Sequence, residues 1–142
     1  QFIQLRRLRT ALAEHLAAAP CFCLLNLQQL EARILKKETD PDLTTFGLFC
    51  GDKIAGFIDV EAGGGNFISC GAPVLNIQGM YLMEEFRGKK LAENLVKAAL
   101  DFSIEKNCRY LGVDYETMNP TAQGFWQKYF EPYTLSMVRH LD

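Results

Sequence analysis

The sequence predicts a single α/β or α+β domain built around a mixed sheet. Its 142 residues are about the length of one domain. Two helical patterns open the chain, and a hairpin pattern at residues 43–62 then predicts antiparallel strands. In the second half, a strand pattern, a helical pattern and another strand pattern follow one another. Such a crossover unit places its two strands in parallel, so the sheet is expected to be mixed.

The first forty residues predict two amphipathic helices. Residues 3–18 carry apolar side chains at three- and four-residue steps, namely Leu5, Leu8, Leu12 and Leu16. Pro20 ends this helix. A second helix follows Asn26, whose side chain can cap it, and its expected apolar face consists of Leu27, Leu30, Ile34 and Leu35.

The next segments predict a hairpin and a central strand. Residues 43–50 and 54–62 are rich in β-branched and aromatic residues, and Gly-Asp-Lys lies between them. A glycine-rich loop follows, with a short extended piece expected at residues 67–69. Residues 74–83 contain few polar positions, as expected of a central strand.

The last part of the chain predicts a helix, a strand, a short helix and a final strand. The helix spans about residues 90–106, and its inward face is expected to consist of Leu91, Leu95, Ala98, Ala99, Phe102 and Ile104. A strand is expected at 109–116. Asn119 and Pro120 then predict the start of a short helix, and residues 133–142 predict the last strand.

Composition excludes several classes of protein. The chain is 49% apolar and carries a net charge of −2, which argues against a general nucleic-acid binder. No apolar run approaches the length of a membrane span. The opening basic and alanine-rich segment is interrupted by Glu14 and His15, so an export signal is not predicted. We therefore expect a cytoplasmic protein without a membrane partner.

The cysteines predict reduced thiols rather than disulfides or a metal site. Their number is five, an odd count, and they are scattered through apolar surroundings. Cys21 and Cys23 could supply two metal ligands, but no second pair of Cys or His lies at a suitable spacing, and we predict no metal. The chain begins with Gln1, which indicates a processed product or a piece of a longer polypeptide.

A basic turn between the central strand and the next helix is the main functional signal. Residues 87–90 read Arg-Gly-Lys-Lys, at the point where a helix presents free backbone N–H groups. Gly88 lets a ligand approach the backbone, and Arg87 can contact a phosphate with a forked hydrogen bond. The alternative is an ordinary surface turn whose charges pair with nearby acidic residues, namely Glu84, Glu85 and Glu93.

This region resembles the acetyl-CoA-binding motif of the GCN5-related N-acetyltransferase (GNAT) family. The segment "MYLMEEFRGKKLAENLV" is similar to the family pattern Q/R-x-x-G-x-G/A. Arg87 matches the first position of that pattern and Ala92 the last, whereas Lys90 stands where the central glycine is usual.

A second segment, "NPTAQGFWQKYF", resembles the family pattern NPxAxxFYxKxGF. Its matching residues are Asn119, Pro120, Ala122, Phe125 and Lys128, and Trp126 replaces the usual tyrosine. The agreement covers roughly residues 43–142. The resemblance implies one GNAT-like domain over residues 1–142, with the first expected strand short or missing. This again suggests a fragment, such as the C-terminal half of a longer protein.

The resemblance also implies an acyl-CoA N-acyltransferase-like fold. Its sheet is mostly antiparallel, is flanked by helices and contains a splayed parallel pair, here 74–83 and 109–116. Acetyl-CoA, the expected co-substrate, would lie in that gap without any metal. The residues expected to bind it are Met80, Tyr81, Leu82, Arg87, Gly88, Lys89, Lys90, Leu91, Ala92, Asn119 and Trp126.

The implied reaction is direct attack of an amine on the thioester. The resemblance implies that this reaction needs a base and an acid. Glu116 is the expected base, and the alternative is a solvated charge at a strand end. Tyr129, one turn beyond Trp126, is the expected acid or else a packing aromatic. Gln78 is expected to face the acceptor, and Phe67, Trp126 and Tyr133 are candidates for an acceptor-site wall. Neither His15 nor His140 is expected to take part.

Three functions follow from these patterns. The first is an acetyl-CoA-dependent N-acetyltransferase that acts on a primary amine of a small molecule or a protein. The second is a non-catalytic, degenerate acyl-CoA-binding domain, which Lys90 and Trp126 favour. The third is a small interaction domain without a ligand. The expected partners are the amine acceptor and either a second copy of the chain or a further domain, and no nucleic acid.

Overall fold

The computed structural model describes residues 2–63 and 73–135. The helices are α1 (Phe2–Ala17), α2 (Leu27–Thr39), α3 (Leu91–Glu105) and α4 (Pro120–Trp126). The strands are β1 (Leu43–Cys50), β2 (Lys53–Ala62), β3 (Val74–Leu82) and β4 (Tyr110–Val113), and they lie side by side in that order in one four-stranded sheet. Within the described ranges, no helix is long and apolar enough to cross a membrane.

The sheet is mixed, as predicted. Strand β2 pairs antiparallel with both β1 and β3, whereas β3 and β4 run parallel and are connected through α3. Cys50 pairs with Lys53, so the predicted hairpin closes through a two-residue loop. Gly51 in that loop has a φ of 63°, a conformation that glycine adopts without steric cost.

The helices cover opposite faces of the sheet. Phe57 and Ile58 are neighbours on β2 and therefore point to opposite faces. Phe57 packs against Leu8 of α1. Ile58 belongs to the larger cluster, which includes Leu95 of α3 and Trp126 of α4. Helices α1 and α2 thus lie on one face, and α3 and α4 on the other.

A β-bulge at Gln78 coincides with the point where β3 and β4 separate. Val60 of β2 pairs with Ile77 and Asp59 pairs with Gly79, so Gln78 is the extra residue. The parallel ladder between β3 and β4 ends at the pair Ile77–Val113. Because a bulge bends its strand and increases its twist, we expect it to turn β3 away from β4 beyond this point.

Three apolar side chains that were predicted to face the core are exposed. Leu27 is 78% exposed, Leu35 is 55% exposed and Ile104 is 72% exposed. Only one stripe of each amphipathic helix meets the sheet, and apolar residues beside that stripe remain on the surface. On α3, Val96 and Ser103 are buried instead.

Two strand predictions need correction or lie outside the described residues. The strand predicted at 109–116 is shorter, since β4 spans only Tyr110–Val113 and the chain then turns away from β3. Residues 133–135 are not in a strand, and residues 136–142 lie outside the described part of the chain. The extended piece predicted at 67–69 lies outside it as well.

Candidate active site

The basic turn lies between β3 and α3, as predicted. A short 3₁₀ helix at Glu84–Phe86 leads into it, and Gly88 has a φ of 74°. Lys90 is the N-cap of α3 and has a φ of 58° and a ψ of 15°, so its backbone is left-handed. Such a conformation disfavours a side chain and suits glycine. The structure thus explains why the family pattern places glycine at this position.

The backbone of this turn presents five uncommitted donors. Among the described residues, the amide nitrogens from Gly88 to Ala92 have no hydrogen-bond acceptor. The first amide after these that has an acceptor is that of Glu93, which donates to the carbonyl oxygen of Lys90 at 3.3 Å. Residues 88–90 are exposed, and a Cβ added to Gly88 would meet nothing within 4 Å. The turn is therefore open, and the positive end of the α3 dipole favours an anion there.

The three cations of the turn differ in the hydrogen bonds and ion pairs that they make with the protein. Arg87 donates from Nε to the carbonyl oxygen of Leu82 at 2.9 Å, which braces the end of β3. Its other close partner is Glu84, at 3.7 Å. Lys89 donates to the carbonyl oxygen of Glu85 at 3.0 Å. The Lys90 ammonium has no partner among the described residues.

Nearby carboxylates do not neutralise the two lysines. Glu85 pairs with Lys53 of β2. Glu93 accepts a hydrogen bond from the hydroxyl of Tyr129 at 2.6 Å. The interpretation as an ordinary paired surface turn therefore accounts for Arg87 but not for Lys89 or Lys90.

The gap between β3 and β4 begins beyond Ile77, and the backbone edge of β3 lines it. The carbonyl oxygen of Tyr81 faces β2, since it lies 2.6 Å from the position that a Cβ on Gly56 would take. Backbone groups alternate in direction along a strand, so those of Met80 and Leu82 point away from β2 and toward the gap. The parallel ladder thus ends where the splay was predicted to begin, and two residues of β3 beyond it direct backbone groups to the side on which β4 had paired.

Tyr81 differs from its neighbours on β3. Its backbone faces β2, and its ring lies beneath the Arg87 guanidinium at 5.4 Å and packs with the cluster around Leu8. We therefore do not expect Tyr81 to line the gap as the sequence had suggested.

Two residues of the second motif have mainly structural contacts. Trp126 is 6% exposed and belongs to the main core, so its ring is not a wall of an open site. Asn119 is buried, and its side chain accepts a hydrogen bond from the Ala122 amide at 3.2 Å, which caps α4 as predicted. Their expected contacts with the co-substrate have no support from this geometry.

Tyr129 lies one turn beyond Trp126 and is 45% exposed, so it is not a core aromatic. The hydrogen bond to Glu93 raises the pKa of the Tyr129 phenol above its ordinary value. The phenol therefore keeps its proton at neutral pH, beside the first turn of α3.

A cavity of about 410 Å³ lies on the face of the sheet that α1 and α2 cover, between these helices and β3. Gln78 and Glu116 both line it, so the structure brings together two residues that the sequence assigned to the acceptor side. Most of its wall is apolar and includes Leu12, Leu16, Leu25, Leu30, Ile34 and Phe57.

Glu116 has no side-chain hydrogen bond within the described residues, and its carboxylate influences Cys23, which also lines the cavity. The pKa of the Cys23 thiol is raised by burial first and then by the negative charge of Glu116. No group of three Cys, His, Asp or Glu among the described residues is arranged to hold a metal ion.

A buried ionic network beneath this cavity was not predicted from the sequence. Asp59 is fully buried in β2. It accepts hydrogen bonds from Arg9 at 2.8 Å, from the Thr45 hydroxyl at 2.7 Å and from Lys37 at 3.0 Å. Lys37 also donates to the carbonyl oxygen of Gln78 at 3.2 Å, so α2 holds the bulge that opens the gap. The only signal in the sequence was an aspartate in the middle of an apolar strand.

Three further residues were considered in the sequence analysis: Phe67 and Tyr133 as an acceptor-site wall, and His140 as a residue not expected to take part. Phe67 and His140 lie outside the described residues. Tyr133 is 47% exposed, beyond α4.

The chain matches the model of the acetyltransferase (GNAT) family over residues 10–131. No curated protein matches it significantly. The solved structures with similar folds include the following three. The first is AAC(6')-Iy in complex with the bisubstrate analog CoA-S-monomethyl-acetylneamine, with a TM-score of 0.75 and 20% identity over 99% of this chain and 91% of that one.

The second structure is a tetramutant of the BH1408 protein from Bacillus halodurans, with a TM-score of 0.81 and 13% identity over 99% of this chain and 94% of that one. The third is a ribosomal-protein-alanine N-acetyltransferase from Brucella melitensis biovar Abortus 2308. Its TM-score is 0.75, with 12% identity over 98% of this chain and 92% of that one. At these identities the likeness concerns the fold, and the match to the family rests on the 10–131 segment.

Proposed function

Because the chain belongs to the acetyltransferase (GNAT) family, we propose that it transfers an acetyl group from acetyl-CoA to a primary amine of a small molecule or a protein. The observation that carries this proposal is a row of five amides, at residues 88–92, that have no acceptor in the described part of the chain. They lie at the start of α3, in the turn that follows β3. A diphosphate bound to these amides would place an attached chain at the gap.

The residues of the turn fit the diphosphate of CoA. Within residues 2–63 and 73–135, the amides of Gly88 to Ala92 have no acceptor, and the Lys90 ammonium adds a positive charge that has no partner there. Arg87 stabilises the turn through the carbonyl oxygen of Leu82 and lies near Glu84, so we assign it a supporting role. Hydrogen bonds from charged or aligned donors to phosphate are among the stronger ones in proteins.

The open edge of β3 fits the arm of the co-substrate and the reacting carbonyl. Met80 and Leu82 direct their backbone groups into the gap, where an N–H can donate to the carbonyl oxygen as negative charge develops on it. Acetyl-CoA, when bound, supplies the activated acetyl group. The protein contributes alignment, which can lower the barrier by several kcal/mol, up to roughly 7–11 kcal/mol for ideal geometry.

Two side chains move the protons. The attacking amine must be neutral, and Glu116, which lines the cavity beside Gln78, accepts its proton directly or through water. Tyr129 keeps its proton at neutral pH and is the donor to the leaving thiolate. This assignment replaces the tyrosine that the family has at the position of Trp126.

A second candidate function is acyl-CoA binding without catalysis. Its specific support is that Trp126 is buried in the core where the family pattern has tyrosine, so no acid stands at that position. In this case the domain would bind CoA at the turn and serve a partner.

Calorimetric titration with acetyl-CoA and CoA, followed by an assay of thiol release with a panel of amines, tests both candidates. We expect binding of both ligands and thiol release that is stimulated by an amine. Glu116→Gln should lower kcat by about 10²–10⁴-fold, the usual worth of a general base. Glu105→Gln, at the exposed end of α3, is the matched control and should leave kcat unchanged. Binding without amine-stimulated release would support the second candidate, and absence of binding would contradict both.

A further inference from the structure

The charged groups of the cavity between α1, α2 and β3 limit which amine can bind there. Four charged side chains line it: Arg9, Arg33, Lys37 and Glu116. Arg9 and Lys37 are both ion-paired with the buried Asp59, at 2.8 and 3.0 Å. Because one carboxylate serves both cations, this trio keeps a net charge of +1, which is held at Asp59 beneath the cavity wall.

The two remaining charges are opposite in sign and come from different elements. Arg33 on α2 is exposed and makes no hydrogen bond or ion pair within the described residues. Glu116, in the loop after β4, has no side-chain partner there either. A ligand in the cavity thus meets one free guanidinium and one free carboxylate.

The rest of the wall is mainly apolar. Leucines of both helices, together with Ile34 and Phe57, form it. The volume of about 410 Å³ suits a small molecule. A ligand with an apolar body gains by burying it against these side chains.

We propose that the acceptor is an apolar amine that also carries a carboxylate, as an apolar amino acid does. Its amine is directed to Glu116 and its carboxylate to Arg33. Arginine is suited to the second contact because its planar guanidinium can bind both carboxylate oxygens. A polycationic amine is disfavoured, because Glu116 is the only uncompensated acidic side chain on the described wall and Arg33 would repel it.

This inference names the acceptor class of the proposed acetyltransferase and rests on that function, but it can be tested by binding alone. The probes are L-phenylalanine, 2-phenylethylamine, which lacks only the carboxylate, and spermidine as a polycation. Each is titrated calorimetrically into the protein, both without and with saturating CoA. A binding measurement is decisive even if no acetyl transfer occurs.

The expected result is that L-phenylalanine binds about tenfold or more tightly than 2-phenylethylamine, the usual worth of one charge-assisted contact, and that spermidine binds weakest. Arg33→Gln should abolish this preference and leave 2-phenylethylamine binding nearly unchanged. Arg7→Gln is the matched control, since Arg7 is also exposed and unpaired among the described residues but does not line the cavity. That variant should bind as the wild type does.

Other outcomes would overturn the inference. These are equal affinity for L-phenylalanine and 2-phenylethylamine, tightest binding of spermidine, no binding of L-phenylalanine, or a preference that persists in Arg33→Gln. The thiol-release assay reports separately on acetyl transfer. Failure of the acceptor class and failure of the proposed function are therefore distinguishable.

Discussion

The two faces of the sheet are built by different physical means. Beneath α3 and α4, the core is apolar and its buried side chains are Ile58, Val60, Leu75, Ile77, Leu95, Val96, Ala99 and Trp126. Beneath α1 and α2, the buried apolar cluster of the described residues consists of Leu8, Ile54 and Phe57, and a carboxylate paired with two cations lies beside it. Burying charges is costly unless each is paired and hydrogen-bonded, so the second face needs defined geometry as well as burial.

The difference corresponds to the two halves of the proposed site. The apolar face fixes α3, and the open amides of residues 88–92 lie in its first residues and in the turn before it. The ionic face connects α1 and α2 to β2 and, through Lys37, to the bulge at Gln78. We infer that the apolar face supports the site for the co-substrate, and that the ionic face sets the cavity for the acceptor and the start of the gap.

The largest expected effect comes from removing the central charge of the ionic face. Asp59→Asn leaves Arg9 and Lys37 with an uncompensated buried charge, so the free energy of unfolding should fall by roughly 3–5 kcal/mol. Urea unfolding measures this loss. Asp52→Asn, in the exposed hairpin loop, should change little. A loss for Asp59→Asn as small as that of the control would mean that the two faces do not differ as described.

A smaller loss is expected from Lys37→Met, because Asp59 keeps Arg9 and Thr45. The variant frees the carbonyl oxygen of Gln78 and should lose about 1–3 kcal/mol of stability. Since the bulge lies where the gap begins, the affinity of the variant for acetyl-CoA should fall as well. Calorimetry at a temperature where the variant is folded measures this affinity. Lower stability with unchanged affinity would show that the ionic face does not act on the gap.

Lys90→Gly tests the site at the start of α3, on the side of the apolar face. This variant should have a higher free energy of unfolding. Glycine relieves the left-handed backbone at this position, and after its own entropy cost the gain should be about 0.5–1 kcal/mol. Affinity for CoA should fall several-fold, because the variant removes a cation that has no partner among the described residues. Asn107→Gly is the control, since Asn107 also has a positive φ, of 54°, but lies at the far end of α3. An affinity loss in that variant instead would contradict the assignment of Lys90.

The smallest effect is expected at the exposed pair that joins α1 to α2. Arg6 holds the pKa of Glu38 below its ordinary value, mainly through a hydrogen bond. A lowered pKa in the folded state means that the pair stabilises the protein at pH values above the ordinary pKa of 4.5. This contribution is lost as pH falls through the lower folded-state value. The Tm difference between wild type and Glu38→Gln should therefore vanish in acid, and a difference that grows in acid would refute this.

The helices and strands could be predicted because their signals are local. Apolar periodicity identified α1 and α3, and the Gly-Asp turn with its flanking β-branched residues identified the hairpin. Leu27, Leu35 and Ile104 were assigned wrongly because periodicity gives the apolar stripe but not how much of it the sheet covers. The turn at 87–90 was found because its charge pattern and its place before a helix are both visible in the sequence.

The ionic network and the bulge could not be predicted in the same way. Arg9, Lys37 and Asp59 lie far apart in the sequence, and only the folded arrangement shows which cations reach the carboxylate. Gln78 is one residue in an apolar strand, and nothing local marks it as the bulge. Both features depend on the packing of α1 and α2 against the sheet.

The central claim is that the amides of residues 88–92 hold the diphosphate of CoA at the mouth of the gap between β3 and β4. Amide chemical shifts of the ¹⁵N-labelled protein, titrated with CoA and separately with pantetheine, test it most directly. CoA should shift the amides of residues 88–92 most strongly and those of Met80 and Leu82 as well. Pantetheine, which lacks the diphosphate, should affect only the strand residues. If saturating CoA left residues 88–92 unchanged, the claim would be contradicted.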